Sequence, residues 1–367
     1  MHESRAGRTR PTFLQRTGAA KRSRAGGRDR TRVEPLALPV ARDPRGVPAE
    51  LLVVWAFFLV VAAEIFATYS RLAPEELYHV SGSGVTAGAG RALVFLNYPV
   101  ALVALPAILL LLDRLAVKGA GLLAAIGLAL SATVFWPGVV DQADLDAKPV
   151  NALAALGVLV AVVMTIAVAR RGGLEPLRRP LGTTEDRLRV ALAAVALVLA
   201  TPWLLADLGV SLDGVPVLGS VWQTGELRSQ PGVAGLHPAV HHGHHHGMDG
   251  VLLTLTALLL SRTIPAIRRP RLRPSTAALL SLMLAYGLVA LANDFWLEQV
   301  VKRGWTDWEI PDVTRPTISI GWAVIVIGAC AVYRFWFGKL AGRGPAVLAH
   351  GGDALRSSGP RASPGSG

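Results

Sequence analysis

The sequence predicts an all-α, polytopic membrane protein, a bundle of eight transmembrane helices with both termini in the cytoplasm. Three observations predict this class. The 367 residues are 52% hydrophobic and only 17% charged, whereas soluble domains carry roughly 25% charged residues. The charged residues lie in blocks between long apolar stretches, and lysine and arginine are concentrated in alternate loops. This pattern excludes a soluble globular enzyme, a disulfide-stapled secreted domain and a disordered chain.

Eight stretches are long and apolar enough to be predicted as membrane spans. A transmembrane helix needs about 20 predominantly apolar residues, and a backbone in hydrocarbon must satisfy its own hydrogen bonds, which favours helices. Pro99 and Pro106 fall inside the second stretch, so we expect that helix to be kinked or broken near Asn97. The predicted spans are 51–69, 92–112, 119–137, 151–169, 189–206, 250–268, 276–297 and 317–338.

Lysine and arginine set the predicted orientation. All but seven of the 37 fall in the first 50 residues, in the loops 113–118, 170–189 and 262–273, or between Arg334 and the C-terminus. The seven are Arg71, Arg91, Lys148, Arg228, Lys302, Arg303 and Arg315. Because cytoplasmic loops carry the excess of Lys and Arg, both termini are predicted to be cytoplasmic and the number of spans even. The larger loops then face outward, at 70–91, 138–150, 207–249 and 298–316.

Two polar segments flank the predicted membrane domain, which covers residues 49–340. Residues 1–48 are rich in Arg, Gly and Pro and lack an apolar face, so they are expected to form a disordered basic cytoplasmic arm. Residues 341–367 are rich in Gly, Ser, Pro and Ala and are expected to form a disordered cytoplasmic tail. The bias toward Ala, Arg, Gly and Leu is typical of a high-GC bacterial genome. We therefore expect a multi-pass protein of the bacterial plasma, or inner, membrane.

The charge asymmetry predicts what the two faces contact. The basic face suits anionic lipid headgroups of the cytoplasmic leaflet, while the acidic outer loops suit a cation. The net charge of +12 could indicate nucleic acid, but the topology explains it and no nucleic-acid-binding fold is recognisable. We therefore expect the lipid bilayer as a partner and no nucleic acid, and the sequence identifies no protein partner.

The single cysteine, Cys330, excludes an intramolecular disulfide and a cysteine-based zinc site.

The loop 207–249 carries a histidine cluster that is the strongest candidate site. Six of the nine histidines lie within ten residues, and neutral imidazole is a ligand for Zn, Cu, Fe and Ni. The predicted ligands of a transition metal, Zn or Cu, are His237, His241, His242, His244, His245, His246 and Asp249. The alternative is a solvated His/Gly loop that binds metal adventitiously.

The spacing of the histidines allows several of them to converge on one ion. If Pro238 begins a helix that leads into the sixth span, one face carries His237, His241, His244 and Met248. A second face then carries His242, His245 or His246, and Asp249. Because Gly243 and Gly247 weaken a helix, a looser metal-binding loop fits the sequence equally well.

The pattern His241-x-x-His244-His245, overlapped by His242-x-x-His245-His246, resembles a known metal box. Membrane fatty-acid desaturases and hydroxylases use an HxxHH box of this kind to hold two irons. The resemblance covers this loop alone, because the histidines outside the cluster are His2, His79 and His350. The further boxes of those families are therefore missing, and no di-iron function is carried over.

Acidic residues within or beside the spans are the candidate catalytic groups. A carboxylate in hydrocarbon is costly unless it is paired or protonated. Glu64 is expected to pair with His79, Arg91 or the histidine cluster, or to reach the interface if the first span sits lower. Asp249 and Asp294, together with Glu64, could orient metal ligands or handle protons. Asp207 borders the fifth span, and Asp141, Asp144 and Asp146 are interpreted as a solvated acidic loop that could bind Ca²⁺ or Mg²⁺.

Seven tryptophans on or near the predicted outer side fit either an interfacial aromatic belt or the rim of a shallow outward pocket. They are Trp136, Trp203, Trp222, Trp296, Trp305, Trp308 and Trp322.

Three functions fit the sequence. The first is a metal-dependent membrane protein, acting as an enzyme at the outer leaflet. The second is a transition-metal transporter or importer, and the third is a non-catalytic scaffold or sensor.

Overall fold

The structure, a computed structural model, is mostly helical with almost no sheet, which confirms the all-α class. It describes residues 46–71, 82–136, 139, 148–178, 182–207, 215–216, 227–230, 233–238, 245–301, 304–311, 313 and 318–343. The helices are α1 (Ala49–Arg71), α2 (Gly84–Arg114), α3 (Ala120–Ser131), α4 (Ala152–Gly172), α5 (Thr184–Asp207), α6 (His245–Ser261), α7 (Leu272–Trp296), α8 (Ile320–Val332) and α9 (Gly338–Gly342). Four short strands are β1 (Val47–Pro48), β2 (Leu174–Glu175), β3 (Leu227–Gln230) and β4 (Val233–Pro238).

Five helical segments of the described chain are long and apolar enough to cross a membrane. They are Ala49–Arg71, Gly84–Arg114, Pro149–Gly172, Leu272–Val301 and Ile320–Gly342. Two shorter apolar helical segments, Ala120–Phe135 and Gly247–Ser261, occupy the third and sixth predicted spans. These lengths and compositions fit a membrane protein. The shorter two fall below the roughly 20 residues of a full crossing, so helix length by itself does not establish eight spans.

The basic segments gather at one end of the bundle, here called the basic end and comprising residues 46–50, 113–118, 173–178, 261–273 and 341–343. There β1 pairs in parallel with β2. The Asp113 carboxylate accepts hydrogen bonds from the backbone N–H groups of Arg268 and Arg269, at 3.0 and 2.8 Å. Loops that were predicted to share the cytoplasmic face are therefore neighbours in space.

The central helix α2 runs without a break from Gly84 to Arg114, so a break near Asn97, one of the two expected effects of the prolines, is wrong. Its most apolar stretch is 89% buried, and it packs against α1, α3, α4, α6 and α7. Neighbouring helices can compensate the hydrogen bonds lost at Pro99 and Pro106. Asn97 itself donates its Nδ2 to the backbone oxygen of Asn151, just before α4, at 3.1 Å. Packing thus overrides the local helix-breaking tendency.

The end opposite the basic end, called the His-loop end, holds the last turns of α1 and α7 and the first turns of α2, α6 and α8. Helices α6 and α7 form the most extensive helix pair in the described structure. A Cβ placed on Gly250 would lie only 2.8 Å from both the Gly287 carbonyl oxygen and the Leu291 nitrogen. This close approach fixes an antiparallel register in which α6 begins beside the last turns of α7.

Candidate functional site at the His-loop end

The structure places three of the six clustered histidines. His237 lies in β4, opposite Arg228 of β3 in an antiparallel pair. His245 and His246 form the first turn of α6. His241, His242 and His244 lie outside the described residues, as do His79, Trp222 and the aspartates Asp141, Asp144 and Asp146.

The prediction that Pro238 begins a helix is wrong. Pro238 is the last residue of β4, and α6 as described spans His245–Ser261. The signal that could have shown this is Pro231-Gly232, a dipeptide typical of turns, which stands between the two paired strands. His237 therefore does not share a helical face with Met248, and His241 and His244, the other members of that proposed face, lie outside the described residues. His245 and Asp249, four residues apart, do lie on one face of α6.

Three carboxylates are buried where α6 meets α7. Asp249 is 3% exposed, Asp294 is 1% exposed and Glu298 is fully buried. The contact of Gly250 with Leu291 puts Asp249 near the level of Leu291, one turn before Asp294. Glu298 lies in the π-helical turn Leu297–Val301 that continues α7. It was missed as a site residue, although its spacing of four residues from Asp294 places both on one face.

An aromatic layer adjoins these carboxylates. Tyr98 of α2 and Tyr286 of α7 meet edge to face at 6.1 Å between ring centroids, and the Tyr98 hydroxyl lies within electrostatic range of Asp249. Tyr286 in turn stacks on Trp322 of α8 at 5.5 Å. These rings and neighbouring leucines line a cavity of about 30 Å³. That space holds little more than one or two waters, so the aromatic rings and leucines are closely packed here.

Arg91, one of the three partners expected for Glu64, does not pair with it among the described contacts, and His79 lies outside the described residues. The Arg91 guanidinium, in a side chain 1% exposed, lies 4.7 Å from the ring centroid of Tyr69 and 4.9 Å from that of Phe95. Both rings offer the π-face that attracts a cation. Glu64 is half-buried, and its Oε1 accepts a hydrogen bond from the Thr68 hydroxyl, one turn along α1, at 3.2 Å. A neighbour on the same helix therefore replaces the predicted partner on α2.

A segment after α7, residues 304–311, folds back along the end of that helix. Asn293 donates its Nδ2 to the Ile310 carbonyl at 2.8 Å. Trp296 donates its Nε1 to the Trp308 carbonyl at 2.9 Å, and the two indoles meet edge to face at 5.3 Å. This segment is thus fastened to the turn of α7 that carries Asp294.

The tryptophans divide into two groups at this end. Trp136, Trp305 and Trp308 are each more than half exposed, at 72%, 59% and 61%, as an interfacial belt requires. Trp296 and Trp322 instead hold neighbouring backbone through their indole N–H groups. The side chains of Trp203 and Asp207, at the end of α5, are outside the described part of the structure.

The described side chains do not by themselves build a metal centre. No group of three or more His, Cys, Asp or Glu residues among them is arranged so that it could hold a metal ion. The imidazoles of the histidine cluster are not among these described side chains. Buried carboxylates next to an imidazole-rich segment can orient metal ligands or hold a proton.

No family model, no curated protein and no solved structure matches this chain.

Proposed function

We propose that this protein binds a transition metal, Zn or Cu, at the outer ends of α6 and α7 and uses it as a metal-dependent enzyme at the outer leaflet. One observation carries the proposal. The helix α6 begins within the histidine cluster and, only four residues after His245, buries Asp249 against α7. A metal held by the histidines would therefore lie close to a buried carboxylate, which can take the second ring N–H of a ligating imidazole.

The proposed roles follow the chemistry of the side chains. The metal ligands come from His237, His241, His242, His244, His245 and His246. Asp249 and Asp294 orient the ligating imidazoles or accept a proton, because a carboxylate that takes the second ring N–H of a ligand fixes its orientation. Glu64, with its Thr68 hydrogen bond, is the third candidate carboxylate. A bound metal would supply a Lewis acid or an activated water at this end.

The proposed setting is the bacterial plasma membrane, crossed eight times, with both termini cytoplasmic. The clustering of basic loops at a single end supports this topology, because it is the arrangement that the positive-inside rule requires. The basic end then faces the anionic headgroups of the cytoplasmic leaflet. The His-loop end faces outward, where a metal is available from outside the cell.

The proposal is tested by measuring the metal content of purified full-length protein. Converting His241, His244 and His245 together to Ala is expected to remove bound Zn or Cu, measured by mass spectrometry after dialysis. A double variant of His2 and His350, which lie outside the cluster, is the control and should keep the wild-type content. An unchanged stoichiometry in the triple variant, or wild-type metal only at the level of added buffer, would overturn the proposal.

A further inference from the structure

A second polar site lies at the basic end of the bundle, at the opposite end of α6 from the histidine cluster. A pocket of about 120 Å³ opens between the segment after β2, the start of α5, the end of α6 and the end of α9. This is several times the space that one water needs. Six charged side chains line it: Arg178, Arg189, Arg262, Arg343, Glu185 and Asp186.

Arg189 is the buried and most strongly held member of this set. It is 9% exposed, its Nε donates to the Ser261 hydroxyl at 3.0 Å, and its Nη1 donates to Asp186 at 2.8 Å. Its guanidinium also lies 5.3 Å from the ring centroid of Trp336. Since these contacts fix the side chain in advance, little further entropy is lost when it binds a ligand.

The charges of the pocket do not cancel. Glu185 pairs with Arg343 at 2.9 Å, and Arg178 is held from behind by Glu50 at 3.1 Å. Arg262 has no acidic partner among the described residues, and it donates a hydrogen bond to the Arg178 backbone carbonyl. Arg178 also pairs with Glu175, at 3.3 Å, and Arg189 with Asp186, at 2.8 Å. Among the described residues, Arg262 therefore brings the positive charge that no carboxylate in the pocket offsets. Each guanidinium has five N–H donors, so the paired arginines still have N–H groups that can donate to a ligand.

We infer that this pocket binds a phosphate group. Arginine is the side chain best suited to phosphate, because its planar fork donates two parallel hydrogen bonds to adjacent oxygens. The phosphate can come from an anionic phospholipid headgroup or from a free phosphate in solution. The position at helix ends, level with the other basic loops, suits the phospholipid. The inference is independent of the metal site at the other end.

Isothermal titration of purified full-length protein in an uncharged detergent tests this inference. The probes are dioctanoyl-phosphatidylglycerol, dioctanoyl-phosphatidylcholine and inorganic phosphate. We expect phosphatidylglycerol to bind more tightly than phosphatidylcholine, and Arg262→Gln to weaken that binding about tenfold. Arg271→Gln, an exposed arginine at the same end, is the matched control and should bind as the wild type does.

The outcomes separate the possible ligands. If inorganic phosphate binds and Arg262→Gln weakens that binding, the result supports the site. If phosphatidylglycerol also fails to bind, the ligand is a free phosphate. Arg262→Lys, which keeps the charge without the fork, should give an intermediate affinity. Three results would overturn the inference: no probe binds, both lipids bind equally without regard to Arg262, or Arg271→Gln weakens binding as much as Arg262→Gln.

Discussion

Glu50 and Arg91 show how single residues make a buried charge tolerable in this bundle. Glu50, at the start of α1, is fully buried, and its two oxygens accept hydrogen bonds from the backbone N–H and the Nη1 of Arg178, each at 3.1 Å. Arg91, in α2, instead lies against two aromatic rings. Each charge is thus matched by a specific partner, because an unmatched buried charge is strongly destabilising.

The Glu50 contact predicts a measurable loss of stability. Glu50→Gln removes the negative charge while keeping the shape, and it leaves Glu175, at 3.3 Å, as the remaining carboxylate beside the Arg178 guanidinium. The Arg178 side chain is 28% exposed, so water partly screens its charge. We therefore expect the free energy of unfolding to fall by about 1–3 kcal/mol. Equilibrium unfolding in detergent measures it. Glu309→Gln, at an exposed position, should be neutral, and equal free energies for the two variants would refute the role of Glu50.

Close helix contacts at glycines organise the bundle at the scale of its elements. Gly88 of α2 packs directly against Phe66 and Ser70 of α1, whereas Gly90, two residues on, has open space where a side chain would stand. Small residues that let helix backbones approach are typical of packing inside membranes. A glycine also lets the backbones of α6 and α7 approach closely at Gly250, next to the buried Asp249.

The two neighbouring glycines of α2 should respond oppositely to alanine. In Gly88→Ala the new methyl group would collide with the Ser70 hydroxyl and the Phe66 carbonyl, and such overpacking costs about 1–3 kcal/mol. Gly90→Ala meets no neighbour and should be neutral or stabilising by up to about 1 kcal/mol, because alanine favours the helix. Thermal unfolding of both variants in one detergent compares them. Equal shifts of the same sign would contradict the packing described for α1 and α2.

Across the whole molecule, the sequence predicts features that depend on local composition. Apolar runs located the helices, and the count of Lys and Arg anticipated which loops share the basic end. Features that depend on distant partners were not predictable in the same way. Helix α2 continues through Pro99 while packed against five other helices, Pro238 pairs with Leu227 in a strand instead of starting a helix, and the Arg91 guanidinium lies over two aromatic rings.

The proposed topology predicts which ends of the bundle are reached from outside the cell. In a Cys330→Ser background, Asp307→Cys lies exposed at the His-loop end and Lys118→Cys exposed at the basic end. A membrane-impermeant maleimide should label the first in intact spheroplasts and the second only after permeabilisation. Labelling of both positions in intact spheroplasts would contradict an even number of crossings with cytoplasmic termini.

The most direct measurement of the central proposal is the affinity of the purified protein for Zn²⁺ when Asp249 is replaced by Asn. If the histidines and the carboxylates of α6 and α7 form one site, Asp249→Asn should weaken binding tenfold to a hundredfold, the usual effect of losing a group that orients a metal ligand. Asp307→Asn, exposed at the same end, should bind Zn²⁺ as the wild type does. Wild-type affinity in Asp249→Asn would show instead that the histidines bind metal without the buried carboxylate.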